Sequence, residues 1–382
     1  MKKIIITIVV VLLIGFSCYF VVTKYNDDKS SNKLEKNNTS DNCDDLFCKY
    51  YSYADNLLKD MSLEEKVGQL FLVRYDNNLA SFWVKNYNPG GFILFAKDFK
   101  DHTKESINDE IKSLQNTSKI PLVIGVDEEG GFVTRVSRYK NFRDNAFSSP
   151  RSIYEEGGYE LLEKEEREKA QLLLSLGINL NLAPVVDVST DENDFIHNRA
   201  FGGNSEETAV FAKKMVSYAN SEGISSCLKH FPGYGNNADT HNGIAIDNRN
   251  YDIFTSNDYL PFKSGIEEKV PAILVSHNII NSMDSSHPAS LSEKVVSELR
   301  EELNFSGIIV TDDLSMGAVS EYVSFNTAAV LAVKAGNDML ITSDFKDMYN
   351  SVLEAVKNGD ISEKRVDNSV RRIIAWKKLY NM

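Results

Sequence analysis

The chain has 382 residues, 42% of them hydrophobic, with four cysteines and a formal net charge of -13. That acidic balance excludes a nucleic-acid partner, because phosphate binding needs a concentrated basic surface. Four cysteines are too few for a disulfide scaffold, although Cys43 and Cys48 are close enough to close a small loop in an oxidising compartment.

Lys2 and Lys3 precede an apolar run over residues 4–22, interrupted only by Thr7, Gly15 and Ser17. The run is long enough to cross a bilayer as a helix, and the two lysines favour a cytoplasmic N-terminus with the remainder exported. Residues 1–23 therefore read as a signal anchor or a lipoprotein signal. Lipidation at Cys18 follows from the small Ser17 before it, although Gly15 stands where an aliphatic residue is usual, and simple cleavage is the third reading. All three put the catalytic part outside the cytoplasm, at a bacterial cell surface or secreted, with membrane contact through the N-terminus only. Residues 24–49, rich in Asn, Asp, Ser and Lys, read as a solvated tether.

Folded structure is expected from residue 50 to the end at 382, about 330 residues, which suits one barrel domain and no large second one. Ser62 and Glu65 form a capping-box pattern ahead of Val67, where helix and strand are hard to separate. Apolar runs at 67–73, 91–95, 122–127, 179–188, 225–231, 272–277, 307–312 and 338–342 make eight candidate strands. Amphipathic stretches such as 206–221 and 292–303 lie between them, long enough for right-handed crossovers joining parallel strands. The expected architecture is a single (β/α)8 TIM barrel.

In such a barrel the active site lies at the carboxyl ends of the strands. Asp127, Lys229, His230, His277 and Asp312 stand at or just beyond the ends of these runs, with His241 in a loop shortly after its run. Cys227, inside the fifth run, reads as a buried thiol, and Asp187, in the fourth, as structural.

The most specific stretch is Lys229 to His241, reading Lys-His-Phe-Pro-Gly-Tyr-Gly-Asn-Asn-Ala-Asp-Thr-His. Here the chain resembles the glycoside hydrolase family three β-N-acetylhexosaminidases, whose signature is Lys-His-Phe-Pro-Gly-His-Gly followed by Asp-Ser-His. Gly125-Val126-Asp127-Glu128-Glu129-Gly130-Gly131 is similar to the family's acidic, glycine-rich segment. Asn198-Arg199-Ala200-Phe201-Gly202 resembles its arginine motif, and Val310-Thr311-Asp312-Asp313-Leu314-Ser315-Met316 its nucleophile motif.

Retaining glycoside hydrolysis needs a carboxylate to attack the anomeric carbon and a separate proton donor for the leaving oxygen. The resemblance implies Asp312 as nucleophile and His241, oriented by Asp239, as acid/base. Strand alternation sends Asp312 and Asp313 to opposite sides, and the residues alone do not choose between them. The resemblance assigns Asp127, Arg199, Lys229 and His230 to the sugar in the first subsite; His277 reads as a mouth residue expected to bind substrate, with a structural histidine as the competing reading. No metal or cofactor is required. Tyr234 replaces the second histidine of the signature, Phe132 stands where many relatives have arginine, and residues 190–197 depart from the usual Asn-Pro-rich segment.

The resemblance implies a split between long members, whose second domain supplies an acidic proton donor, and short ones that use the loop histidine; this chain stops soon after a helix ending near Tyr380, which is expected to leave no room for the former. The expected activity is therefore removal of terminal β-linked N-acetylglucosamine rather than glucose, from a peptidoglycan fragment, by a monomer. A β-glucosidase and a phosphorylase using the same covalent intermediate are alternatives. A metal-dependent amidohydrolase, using His230, Asp239, His241 and His277 as ligands, is another. A non-catalytic cell-wall-binding protein is the last.

Overall fold

Eight short apolar segments pair in parallel: β1 (Phe71–Arg74), β2 (Gly91–Leu94), β3 (Val123–Val126), β4 (Leu180–Asn181), β5 (Ser225–Phe231), β6 (Ala272–Val275), β7 (Ile308–Thr311) and β8 (Leu340–Thr342). Each strand is paired with its sequence neighbour, β8 returns to β1 through Phe71 opposite Leu340, and a bridge between Val310 and Met339 closes the ring. These strands are buried on both faces, which is why they read as continuous apolar runs rather than alternating ones. The predicted TIM barrel is the fold, and its eight runs are the eight strands. The computed structural model describes residues 43, 45–237 and 243–382. The predicted membrane-targeting segment, Cys18, most of the predicted tether and the predicted pair Asp239 and His241 lie outside the described residues.

The ambiguous run at 67–73 holds both elements. Ser62 accepts from the Glu65 amide while the Glu65 carboxylate accepts from the Ser62 amide, so a capped helix runs over Leu63–Gln69 and β1 starts two residues later. The fourth run yields only two strand residues, because proline at 184 has no amide to donate; the chain then regains β5 at Val185 opposite Lys229. The packed unit begins at Asp45, slightly before the expected residue 50, since Phe47 is 0% exposed and the Leu46 amide donates to Ser306 Oγ at 3.0 Å. Cys43 and Cys48 are disulfide-bonded, and Cys227 is a free buried thiol.

The terminal helix, Glu363–Leu379, seals the amino end of the barrel. Trp376 Nε1 donates to Ser225 Oγ at the start of β5, and Lys377 Nζ to Gln69 Oε1 just before β1. At the opposite end a two-stranded parallel ribbon, Ile246–Asp247 with Ile279–Ile280, spans the loops that leave β5 and β6. One end is thus plugged by side chains and the other is built from loops.

Candidate active site

Three consecutive acids follow β3 and take three different jobs. Asp127 Oδ1 accepts from Lys229 Nζ at 2.7 Å, and its Oδ2 is 3.8 Å from Arg135 Nη2. Glu128 is fully buried and turns back on its own loop, accepting from the amides of Arg135, Val136 and Ser137 and from the Ser137 hydroxyl. Glu129 pairs side-on with Arg199, whose Nε and Nη2 donate at 3.0 and 2.8 Å, and also meets Lys229 Nζ at 2.6 Å.

Lys229 is the buried hub of this network, between Asp127 and Glu129. Burial alone would lower its pKa, yet Asp127 and Glu129 outweigh that and hold the ammonium charged. Burial would likewise raise the Glu129 pKa, but Lys229 and Arg199 drive it well below the carboxylate range. Arg199 is raised in turn by Glu129 against its own desolvation. A matched set of opposite charges is what allows ions to sit at the barrel mouth away from bulk water.

His230 is fixed by two partners. Its Nδ1 lies 2.8 Å from Asp187 Oδ2, and its Nε2 is 3.3 Å from Arg199 Nη2. A guanidinium only donates, so Nε2 is the acceptor and Nδ1–H points at Asp187. Asp187, 1% exposed, also accepts from the amides of His230 and Tyr234, in keeping with the structural part read for it. Tyr234 is buried with Val185, Ile196 and Ala200, its ring 5.5 Å from that of His230, so the departure from the signature falls on a packing position.

Asp312 directly follows β7, and its amide donates to Val275 O of β6 at 3.0 Å, continuing the ladder. Its Oδ1 accepts from the Asp313 amide at 2.8 Å. Asp313 is turned the other way: Oδ1 accepts from the Ser315 amide and Oδ2 from Ser343 Oγ, both at 2.9 Å. The Cys227 thiol inside the barrel is raised first by burial, with the charges of Lys229, Asp127 and Asp312 acting on it as well.

His277 is 0% exposed. Its Nε2 donates to Asp313 O at 3.0 Å and its Nδ1 is 2.7 Å from Ser290 Oγ, so the ring braces the residue beside Asp312. With ring nitrogens of His230 and His277 bonded inside the protein, two of the four ligands of the amidohydrolase alternative are already committed.

Arg135 is a member of the site that run-end reasoning did not name. Its guanidinium lies 5.4 Å from the Phe95 ring centroid and close to Asp127, carried there by the loop that Glu128 folds back. No apolar run delivers it, so the only signal was its position in the loop after β3. The ends of segment 238–242 lie on the same face. Asn237 Nδ2 donates to Tyr234 O and to Asp247 Oδ2, and Gly243 approaches Glu321, in the loop after β7, so closely that an added Cβ would stand 3.2 Å from its carboxylate.

Comparison with known proteins agrees with this arrangement. Residues 62–376 match the glycosyl hydrolase family 3 N terminal domain. The chain is 30% identical over 290 residues to a β-hexosaminidase of Methylococcus capsulatus, covering 75% of this chain and 84% of that one. It is 28% identical over 322 residues to β-hexosaminidase A of Pseudoalteromonas piscicida, covering 77% of this chain and 54% of the relative, so it spans about half of that protein. A family 3 β-N-acetylglucosaminidase structure from Paenibacillus superposes with a TM-score of 0.79 at 29% identity, over 84% of this chain and 63% of that one. A closed eight-stranded barrel, carboxylates and cations gathered at its carboxyl end, and a family match over most of its length together place this chain in glycosyl hydrolase family 3, among the β-hexosaminidases.

Proposed function

We propose that the protein is a retaining exo-β-N-acetylglucosaminidase acting through a covalent glycosyl-aspartate intermediate. The observation that carries the reading is the division of labour between Asp312 and Asp313. Both carboxylate oxygens of Asp313 are held by serines, whereas Asp312, the residue that directly follows β7, accepts at Oδ1 from the Asp313 amide. Asp312 attacks the anomeric carbon, and the matched Lys229, Arg199, Asp127 and Glu129 network with Arg135 and His230 offers directional donors and acceptors to the hydroxyls of the terminal sugar. His277 acts on this step indirectly, by holding the Asp313 carbonyl.

Protonation of the departing oxygen falls to His241, oriented by Asp239, on the strength of the Asp-x-His motif and of segment ends anchored over the same face. The same imidazole then activates water to release the sugar. Similarity to a β-hexosaminidase and to a family 3 β-N-acetylglucosaminidase supports N-acetylglucosamine as the terminal sugar. The disulfide-bonded Cys43 and Cys48 suit an oxidising compartment, and with the apolar N-terminus they support an exported enzyme whose substrate is a peptidoglycan fragment.

Reaction with a fluorinated N-acetylglucosamine inactivator, followed by peptide mass spectrometry, tests the reading. The label is expected on the peptide containing Asp312. A label elsewhere, or turnover of a β-glucoside but not of a β-N-acetylglucosaminide, overturns it; faster turnover in phosphate than in water points to phosphorolysis.

A further inference from the structure

Arg249 ties together the two stretches of chain that flank residues 238–242. Its Nε donates to Asp247 Oδ1 and Oδ2 at 3.1 and 2.9 Å, its Nη1 to Asp258 Oδ1 at 3.0 Å and its Nη2 to Gly233 O at 3.1 Å. Asp247 and Asp258 are both buried, so one guanidinium serves two carboxylates and a carbonyl in a single fork. Asp247 Oδ2 also accepts from Asn237 Nδ2 at 2.7 Å. Asn237 directly precedes residues 238–242 and Asp247 follows them, so this bond crosses from one side of the segment to the other.

The backbone closes around the side chain. Gly233 has φ of 127° and Gly235 φ of 56°; a Cβ on the first would overlap the Asp258 carboxylate, and one on the second would stand 2.6 Å from Arg249 Cζ. Both glycines of the Pro-Gly-Tyr-Gly stretch are therefore needed for the guanidinium to fit. The same turn leaves the site already described: the Gly233 amide donates to His230 O at 2.9 Å, and the Tyr234 amide to Asp187 Oδ1 at 2.7 Å. On the far side, the amides of Ile279 and Asn281 donate to Ala245 O and Asp247 O, both at 2.9 Å, fastening the chain to the loop after β6. A short connection with both ends fixed has fewer conformations to lose than one with a free end.

We propose that Arg249 is a positioning residue for the acid/base step, acting through Asp247, Asn237 and Gly233 on the placement of Asp239 and His241. The inference rests on the reading of His241 as the acid/base.

The test varies the leaving group. A 2,4-dinitrophenyl β-N-acetylglucosaminide departs without a proton donor, whereas a β-1,4-linked N-acetylglucosamine disaccharide requires one. Arg249→Lys keeps the charge beside the two carboxylates but loses the fork. It is expected to lower kcat/KM for the disaccharide about 10- to 100-fold and to leave the dinitrophenyl glycoside unchanged. Asn237→Ala, at a half-buried residue, should give the same split at about threefold with the wild-type Tm. If Arg249→Lys does not fold, Asn237→Ala decides alone, its split supporting the role. Equal losses on both glycosides, or none on either, overturn it. His241→Ala, measured alongside, should show the split at full size; if it shows none, the acid/base reading fails and the inference falls with it.

Discussion

Asp312 and Asp313 carry the same side chain on consecutive residues, and what separates them is the direction each faces. The Asp313 carboxylate closes a turn with the Ser315 amide and ties Ser343, a structural duty. Asp312→Asn is expected to lower kcat at least about a thousandfold without loss of fold, whereas Asp313→Asn should lower Tm and cost far less activity. Steady-state kinetics beside thermal melts distinguish the two, and the reverse ranking would exchange their roles. Glu129 allows a pH prediction. Its pKa is depressed in the fold, so its stabilisation is present above the unfolded value near 4.5 and is lost as pH falls below it. Melting temperature should drop between pH 5 and 3, and Glu129→Gln should flatten that drop while lowering stability near neutrality by about 3 kcal/mol, because it leaves Lys229 and Arg199 short of one buried counter-charge. Asp127, Lys229 and Asp312 were legible from sequence because each stands at the end of an apolar run. Arg135 was not, since a side chain in a loop gains its place only when Glu128 folds that loop back.

At the scale of elements, the site is a set of strand ends joined by side chains from neighbouring loops. Asp187, after β4, accepts from Nδ1–H of His230 on β5 and from the amides of His230 and Tyr234, so one buried carboxylate orients a ring and pins the loop that follows. Asp187→Asn offers that ring an ambiguous partner and is expected to reduce kcat/KM by about 10- to 100-fold, with a smaller fall in Tm. Unchanged kinetics would reduce Asp187 to packing alone. Apolar runs in the sequence located all eight strands, because segments buried on both faces must be apolar throughout. It did not divide residues 67–73 into helix and strand, since a short apolar run satisfies either period until Ser62 and Glu65 close their capping box.

Across the whole molecule, the two ends of the barrel are unlike in chemistry. The amino end is sealed by the terminal helix, where Lys377 lies buried with Gln69 Oε1 as partner; burial pushes its pKa from 10.5 down to about 7. In the unfolded chain this amine keeps its proton up to about pH 10.5, while the folded protein sheds it near 7, so its effect is a stability that rises with pH through that window. Melting temperature is expected to climb from pH 6.5 to 9, and Lys377→Met to flatten the climb; a variant with the wild-type slope would assign the effect to other groups. The carboxyl end keeps its charges in matched pairs. The sequence by itself determined the closed barrel, the face that carries chemistry and most of its charged residues, because strand burial and strand-end position are local properties of apolar runs. Only the tertiary structure decided that the Asp313 carboxylate is taken up by Ser315 and Ser343, that His230 answers to Asp187, and that Arg135 joins the site, because these arrangements depend on how the chain folds back on itself.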